Sequence, residues 1–155
     1  MNPNTSNHLI ERFQCYLDQG HLVLTATLST YVTSDAFAKS EPFRSIWDKH
    51  FMEKVKKRLP VGNRETTVDY EYIVQRSPDG YWHFHGFLAT PAPYADRLWT
   101  SSGLNRHLRN DLESFRRAGI YRPCCVNSFA IEPVQKVVAW STYITRDADS
   151  ISSFL

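Results

Sequence analysis

The chain has 155 residues, and its 42% hydrophobic, 14% aromatic and 22% charged side chains are the balance of a folded domain, which excludes a largely disordered protein. This length predicts one domain over residues 1–155, with flexible ends at 1–8 and 148–155. The formal net charge of +2 is too small to indicate a nucleic-acid partner by itself, so local patches have to carry that argument.

Cysteine usage and hydropathy bear on the compartment. The three cysteines are an odd number, and Cys124 and Cys125 are adjacent, so we expect neither a disulfide framework nor a structural zinc site. The N-terminal segment is polar, and no apolar run approaches the roughly 20 residues of a membrane span. These features predict a cytoplasmic protein with no membrane partner.

Hydrophobic periodicity predicts the element order β, α, β, β, α, β, α. A polar leader precedes a buried strand at residues 21–30, and an amphipathic helix follows at 40–59. Strands at 66–75 and 81–89 flank a Pro-Asp-Gly turn and form the clearest hairpin. A helix at 101–118, a short strand around 125–131 and a last helix after Pro133 complete the order. We expect an α+β fold in which a central antiparallel sheet carries flanking helices.

A pair of histidines lies in the second strand of this hairpin. His83 and His85 are two residues apart, so both imidazoles face one side of the strand and Phe84 faces the other. Two ligands on one rigid strand can share a metal ion. The same spacing also arises by chance in strands with solvated or paired histidines, so neighbouring residues have to decide between a metal site and an ordinary strand.

The turn predicts which oxygen ligands are near the histidines. A three-residue loop that pairs Ser77 with Tyr81 sets Gln75 opposite His83. Glu71 falls on the same face by parity, so either Gln75 or Glu71 is available as a third ligand. Such a set suits Mn²⁺ or Mg²⁺, although imidazoles also accept Zn²⁺.

The last helix offers a nucleophile. One side is predicted to be apolar and to comprise Val134, Val137, Val138, Ser141 and Ile144. Tyr143 falls on the other side, with Lys136, Ala139 and Arg146. A phenol has a pKa of about 10, so attack on phosphorus needs a polarised phosphate and a cation such as Arg146 near the developing charge. An exposed tyrosine without a catalytic role is the alternative.

Three segments in this order resemble motifs of the replication initiators (Rep proteins) of rolling-circle plasmids and single-stranded DNA phages, which belong to the HUH endonuclease superfamily. They are LTATLS at residues 24–29, QRSPDGYWHFHGFL at 75–88 and PVQKVVAWSTYITR at 133–146. The resemblance implies a central sheet that carries His83 and His85 as metal ligands, beside the helix of the nucleophile Tyr143. It also implies a 5′-phosphotyrosyl link to nicked single-stranded DNA and a released 3′-hydroxyl that primes synthesis.

The chain departs from the family pattern at two positions. Many relatives have glutamate where Gln75 stands and lysine where Arg146 stands. Glutamine is a neutral ligand, so the first departure implies weaker metal binding. Members with two tyrosines place the second where this chain has Ala139, so a single-tyrosine enzyme is implied. No helicase motif is present in the sequence, so a host helicase and polymerase are implied partners, and we expect a monomer or weak dimer.

Single-strand binders combine cations with aromatic rings that stack on bases. The candidates for contact with origin DNA are Arg106, Arg109, Trp82 and Lys136, and the first two lie on the helix at 101–118. A solvated helix face and ordinary core aromatics explain these residues equally well.

Three other functions stay open. A relaxase or a HUH transposase shares the chemistry, although relaxases usually place the tyrosine before the histidines. A DNA-binding module of the same fold that has lost nicking is compatible with Gln75 and Arg146. A zinc-dependent hydrolase would need a further ligand and a general base near His83 and His85.

Overall fold

Five antiparallel strands form one sheet in the computed structural model, which describes residues 3–58, 68–90, 126–134, 136–145 and 151–152. The strands are β1 (Leu22–Thr30), β2 (Asp69–Arg76), β3 (Trp82–Thr90), β4 (Val126–Pro133) and β5 (Ile151–Ser152). Their spatial order is β4-β1-β3-β2-β5, so β3, with the two histidines, is the middle strand. With the helices described next, this sheet confirms the predicted α+β class.

The helices are α1 (Pro3–Asp18), α2 (Asp35–Ala38), α3 (Glu41–Ser45), a π-helical segment (Ile46–Phe51), α4 (Met52–Arg58) and α5 (Val137–Thr145). The helix predicted at 40–59 is therefore present over its described part, but its centre is wound as a π-helix. Ser40 caps its start, because the Ser40 side chain accepts a hydrogen bond from the backbone N–H of Phe43 at 3.5 Å. The helix predicted at 101–118 lies outside the described residues.

One face of the sheet packs against α2, α3, the π-helical segment and α4. Phe84 of β3 stacks on Phe43 with ring centroids 4.6 Å apart, and Trp47 is fully buried beside them. At Gly86 a Cβ atom would lie 2.8 Å from the Trp47 ring and 2.5 Å from the carbonyl oxygen of Glu71. Glycine is therefore needed for the π-helical segment to approach the middle strand this closely.

The other face, which carries the histidines, is covered by α1 and α5. Leu9 and Phe13 of α1 are fully buried, and Phe13 stacks on Phe87 of β3 with centroids 4.8 Å apart. Val137 of α5 is buried in the same cluster. The sequence analysis predicted a polar leader and no helix here, because residues 3–8 are polar and the apolar residues at helical spacing, Leu9, Phe13, Tyr16 and Leu17, begin only after them.

The last helix buries a different set of side chains from the predicted one. Val137 and Ser141 are buried as expected, but Val138 is 53% exposed. The difference arises because the helix starts later than the predicted pattern assumed: α5 begins at Val137. Val134 lies before it in extended chain and donates its N–H to the Val23 carbonyl at 2.8 Å. The buried side of the helix is therefore centred on Val137, Trp140 and Ser141.

The C-terminal segment contains a strand that the sequence did not predict. Within the segment 148–155, which was expected to be flexible, β5 pairs with β2 at Ile73 and Val74. Among the described residues, no helix is both long and apolar enough to span a membrane.

Candidate active site

His83 and His85 lie side by side on the middle strand. Their ring centroids are 4.4 Å apart and the ring planes are nearly perpendicular, at 88°. His83 is half-buried, whereas His85 is only 7% exposed. Phe84 points into the opposite core, as strand alternation predicted.

The register predicted from the turn is confirmed. The Ser77 N–H donates to the Tyr81 carbonyl at 2.9 Å, and the ladder then sets Gln75 opposite His83. Gln75 is 4% exposed, so its amide is held on the same buried face as the two imidazoles. Two imidazoles and one amide side chain therefore lie on one face of two adjacent strands.

His85 is held from two further directions. Its Nδ1 lies 2.9 Å from the hydroxyl oxygen of Thr27, the residue opposite it on β1, and Trp140 of α5 meets its ring edge-on with centroids 5.9 Å apart. Burial first, and the electrostatic effect of the neighbouring His83 second, lower the pKa of His85 to about 3. The imidazole is therefore neutral at neutral pH, which is the form that binds a metal ion.

Glu71, the other oxygen ligand suggested by parity, is engaged elsewhere. Its Oε1 forms an ion pair with Arg12 of α1 and lies 2.9 Å from Nε2 of His8. Arg12 also pairs with Asp69, whose carboxylate accepts a hydrogen bond from Tyr16 and thereby raises the pKa of that phenol. Oε1 of Glu71 is thus paired with the N-terminal helix, whereas Oε2 is buried and has no hydrogen-bond partner among the described residues.

In the part of the chain that the structure describes, acidic and thiol groups do not gather around the histidines. Over the described ranges, no group of three or more His, Cys, Asp or Glu side chains lies close enough together to hold a metal ion. On the histidine face of β2, the oxygen-bearing candidates are Gln75, which is opposite His83, and Glu71.

The helix with the candidate nucleophile lies on the histidine face. The contact between Trp140 and His85 brings α5 against the histidines. Tyr143 is three residues after Trp140 in the same helix, which is slightly less than one turn. The side chain of Tyr143 lies outside the described part, as do Arg146, Arg106 and Arg109 entirely.

The two remaining predicted DNA contacts differ in exposure. Trp82 is 3% exposed, packs on the face opposite the histidines and donates its indole N–H to Asp35 at 3.1 Å. Its ring cannot stack on a base there, so we remove Trp82 from the candidate DNA surface. Lys136 is exposed directly before α5.

Sequence reasoning missed three neighbours of the site: Thr27, Trp140 and Arg12. Thr27 belongs to the first motif, at residues 24–29. Its contact with His85 depends on the register between β1 and β3, which no local sequence pattern supplies. Trp140 could have been assigned to the buried side of α5 if the helix start had been known. Arg12 was hidden because α1 itself was not predicted.

Comparison with known proteins adds no relative. No protein-family model, no curated protein and no solved structure matches this chain.

Proposed function

We propose that this chain is a metal-dependent endonuclease of the HUH type that nicks and joins single-stranded DNA to initiate rolling-circle replication, with Tyr143 as the nucleophile. The observation that carries the proposal is the pair of adjacent imidazoles, His83 and His85, on the middle strand beneath the helix that contains Tyr143. The motif resemblance implies a sheet that carries two metal-binding histidines beside a tyrosine helix, and the position of α5 over the histidine face supports the proposal. The same chemistry would serve a relaxase or a transposase.

The described residues fit a divalent cation. His83, His85 and the amide oxygen of Gln75 would hold it, because they share one face, His85 is neutral and Thr27 orients its ring. Bound Mn²⁺ or Mg²⁺ would supply Lewis-acid polarisation of the scissile phosphate. Glu71 is the second choice, since its Oε1 already pairs with Arg12.

The reaction of this proposal is a transesterification. The phenol oxygen of Tyr143 forms a bond to phosphorus while the bond from phosphorus to the 3′ oxygen breaks. The phenol proton is released to solvent or a base, and the departing oxygen takes up a proton to become a 3′-hydroxyl. The product keeps the DNA 5′ phosphate on Tyr143, and Arg146 is the chain's own cation for the developing charge. A host polymerase would then extend the free 3′ end while a host helicase unwinds the duplex.

A second candidate is a DNA-binding module that has lost nicking. The neutral amide of Gln75 favours it, because an amide binds a divalent cation more weakly than a carboxylate does. One experiment separates the two functions.

The experiment uses a pool of single-stranded oligonucleotides of randomised sequence, labelled at the 3′ end, with Mn²⁺. We expect a labelled adduct that survives denaturant with the unmodified protein and none with Tyr143→Phe or His83→Ala. Tyr70→Phe is the matched control, because Tyr70 hydrogen-bonds Asp48 on the other side of the sheet and should leave adduct formation intact. The absence of any adduct, with binding of the oligonucleotides retained, would leave only the DNA-binding module.

A further inference from the structure

Two exposed tyrosines meet at the end of the sheet. Among the large hydrophobic side chains of the described residues, Tyr31 is 51% exposed and Tyr81 is 39% exposed. Their ring centroids are 6.1 Å apart and the planes are nearly perpendicular, at 87°. Such a pair leaves both ring surfaces partly in water, although aromatic rings gain most when they are covered.

The pair lies next to the histidines along the strands. Tyr81 precedes His83 by two residues, which is about 7 Å of extended chain and the same side of the strand. Tyr31 follows the end of β1, where Ser29 is paired with His83. Trp82, which lies between Tyr81 and His83 in the sequence, points into the core. The exposed aromatic residue next to the histidines is therefore Tyr81 and not Trp82, the residue that the sequence analysis assigned to base stacking.

A cation flanks the same end of the sheet. Arg76 has a half-exposed side chain, 3.7 Å from Asp35, and one of its guanidinium nitrogens lies 3.9 Å from where a Cβ atom on Gly80 would stand. The guanidinium therefore borders the hairpin turn that carries Tyr81. Arg76 shares Asp35 with Trp82 on the face opposite the histidines, so its charge is at this end of the sheet but not on the histidine side. The exposed rings carry the argument, because single-strand binders stack bases on such rings.

We propose that Tyr31 and Tyr81 form a stacking site for a nucleobase of single-stranded DNA, next to the nucleotide whose phosphate is held at His83 and His85. This inference rests on the proposed function, in which a single DNA strand runs to the histidines. A stacked base would fix the register of the strand at the reacting centre without reading its sequence, because every base has a π-face.

The test is binding of fluorescein-labelled oligo-deoxythymidine in EDTA, where no metal-dependent nicking occurs. Tyr81→Ala and Tyr31→Ala should each weaken binding about 5- to 150-fold, and the Phe variants should bind like the unmodified protein because they keep the ring. Tyr70→Ala is the matched control, since it removes the same side chain on the other side of the sheet, where Tyr70 hydrogen-bonds Asp48. Circular dichroism verifies that each variant is folded.

A second probe isolates the base itself. An oligonucleotide of equal length with abasic sites should bind the unmodified protein more weakly than oligo-deoxythymidine, whereas Tyr81→Ala should bind both equally. The proposal is overturned if the Ala variants keep full affinity, if the unmodified protein binds neither probe, or if the Ala variants only dissociate a dimer seen by sedimentation. The adduct assay judges the nickase separately: ring-dependent binding without an adduct would retain the stacking site and reject nicking.

Discussion

At the scale of single residues, the site depends on how His85 is oriented. Thr27 of β1 contacts one ring nitrogen, and Trp140 of α5 packs edge-on against the ring. The imidazole on β3 is therefore positioned by two other elements together. Groups that hydrogen-bond a metal-binding histidine set its tautomer and direction, and their loss usually weakens metal binding.

Thr27→Val should therefore lower Mn²⁺ affinity by about 10- to 100-fold, because the hydroxyl partner of His85 is removed while the side-chain shape is kept. Isothermal titration calorimetry measures this effect. Thr27→Ser should bind nearly normally, and Thr33→Val is the control because Thr33 is exposed outside the sheet. Equal Mn²⁺ affinity in Thr27→Val and the unmodified protein would contradict the role of Thr27.

The choice between Gln75 and Glu71 can also be tested. Gln75→Glu should tighten Mn²⁺ binding, because a carboxylate adds charge opposite His83. Glu71→Gln should leave that affinity unchanged but lower the free energy of unfolding by about 1–3 kcal/mol, because Arg12 loses a charged partner. Calorimetry and urea unfolding give the two readouts. Loss of Mn²⁺ binding in Glu71→Gln, with Gln75→Glu unchanged, would assign the ligand to Glu71 instead.

At the scale of elements, β3 is confined from both sides. Its odd-numbered residues face α1 and α5, and its even-numbered residues face the π-helical segment, with Gly86 at the closest approach. A π-helical turn widens a helix locally, and here it coincides with the burial of Trp47 against the middle strand. The positions of the two histidines are thus supported by packing on the face that does not bear them.

Gly86→Ala should lower the free energy of unfolding by about 1–3 kcal/mol, because the added methyl group overlaps both the Trp47 ring and the Glu71 carbonyl. Gly20→Ala is the comparison, since no atom lies within 4 Å there and the cost comes only from its φ of +76°. Urea unfolding compares the two variants. A smaller loss in Gly86→Ala than in Gly20→Ala would show that the sheet and the π-helical segment can separate at little cost.

At the scale of the whole molecule, helices cover both faces of the sheet and keep water from its central strand. A titratable group buried there has a shifted pKa, and the free energy of unfolding then depends on pH. His85 is the clearest case, since burial lowers its pKa to about 3 from an ordinary value near 6.5. The unfolded chain therefore binds a proton at a higher pH than the folded chain does. The stability that His85 contributes is fully present above about pH 6.5 and is lost as the pH falls toward 3.

The metal-free protein should consequently lose up to about 1.4 kcal/mol of unfolding free energy per pH unit below pH 6.5 through this one group. Urea unfolding in EDTA at pH 7 and pH 5 measures the loss. His85→Gln should show a smaller pH dependence, because the glutamine does not titrate. Equal pH dependence in both proteins would mean that other groups account for the acid sensitivity.

The sequence by itself determined the features that depend on neighbours along the chain. The Pro-Asp-Gly turn specified the hairpin and, through turn geometry, the pairing of Gln75 with His83. The two-residue period placed His83 and His85 on one face, and the 3.6-residue period indicated helices near 40–59 and after Pro133. These signals are local because a turn and a period involve residues only a few positions apart.

Only the tertiary structure decided which candidates meet. Glu71 pairs with Arg12, and His85 with Thr27 and Trp140, across separations that no local pattern encodes. The same is true of Trp82, which the other helical layer buries while Tyr81 remains at the surface. The physical reason is that burial and ion pairing depend on which surfaces are brought together by the sheet order and the helices over it, and that choice is made by packing over the whole fold.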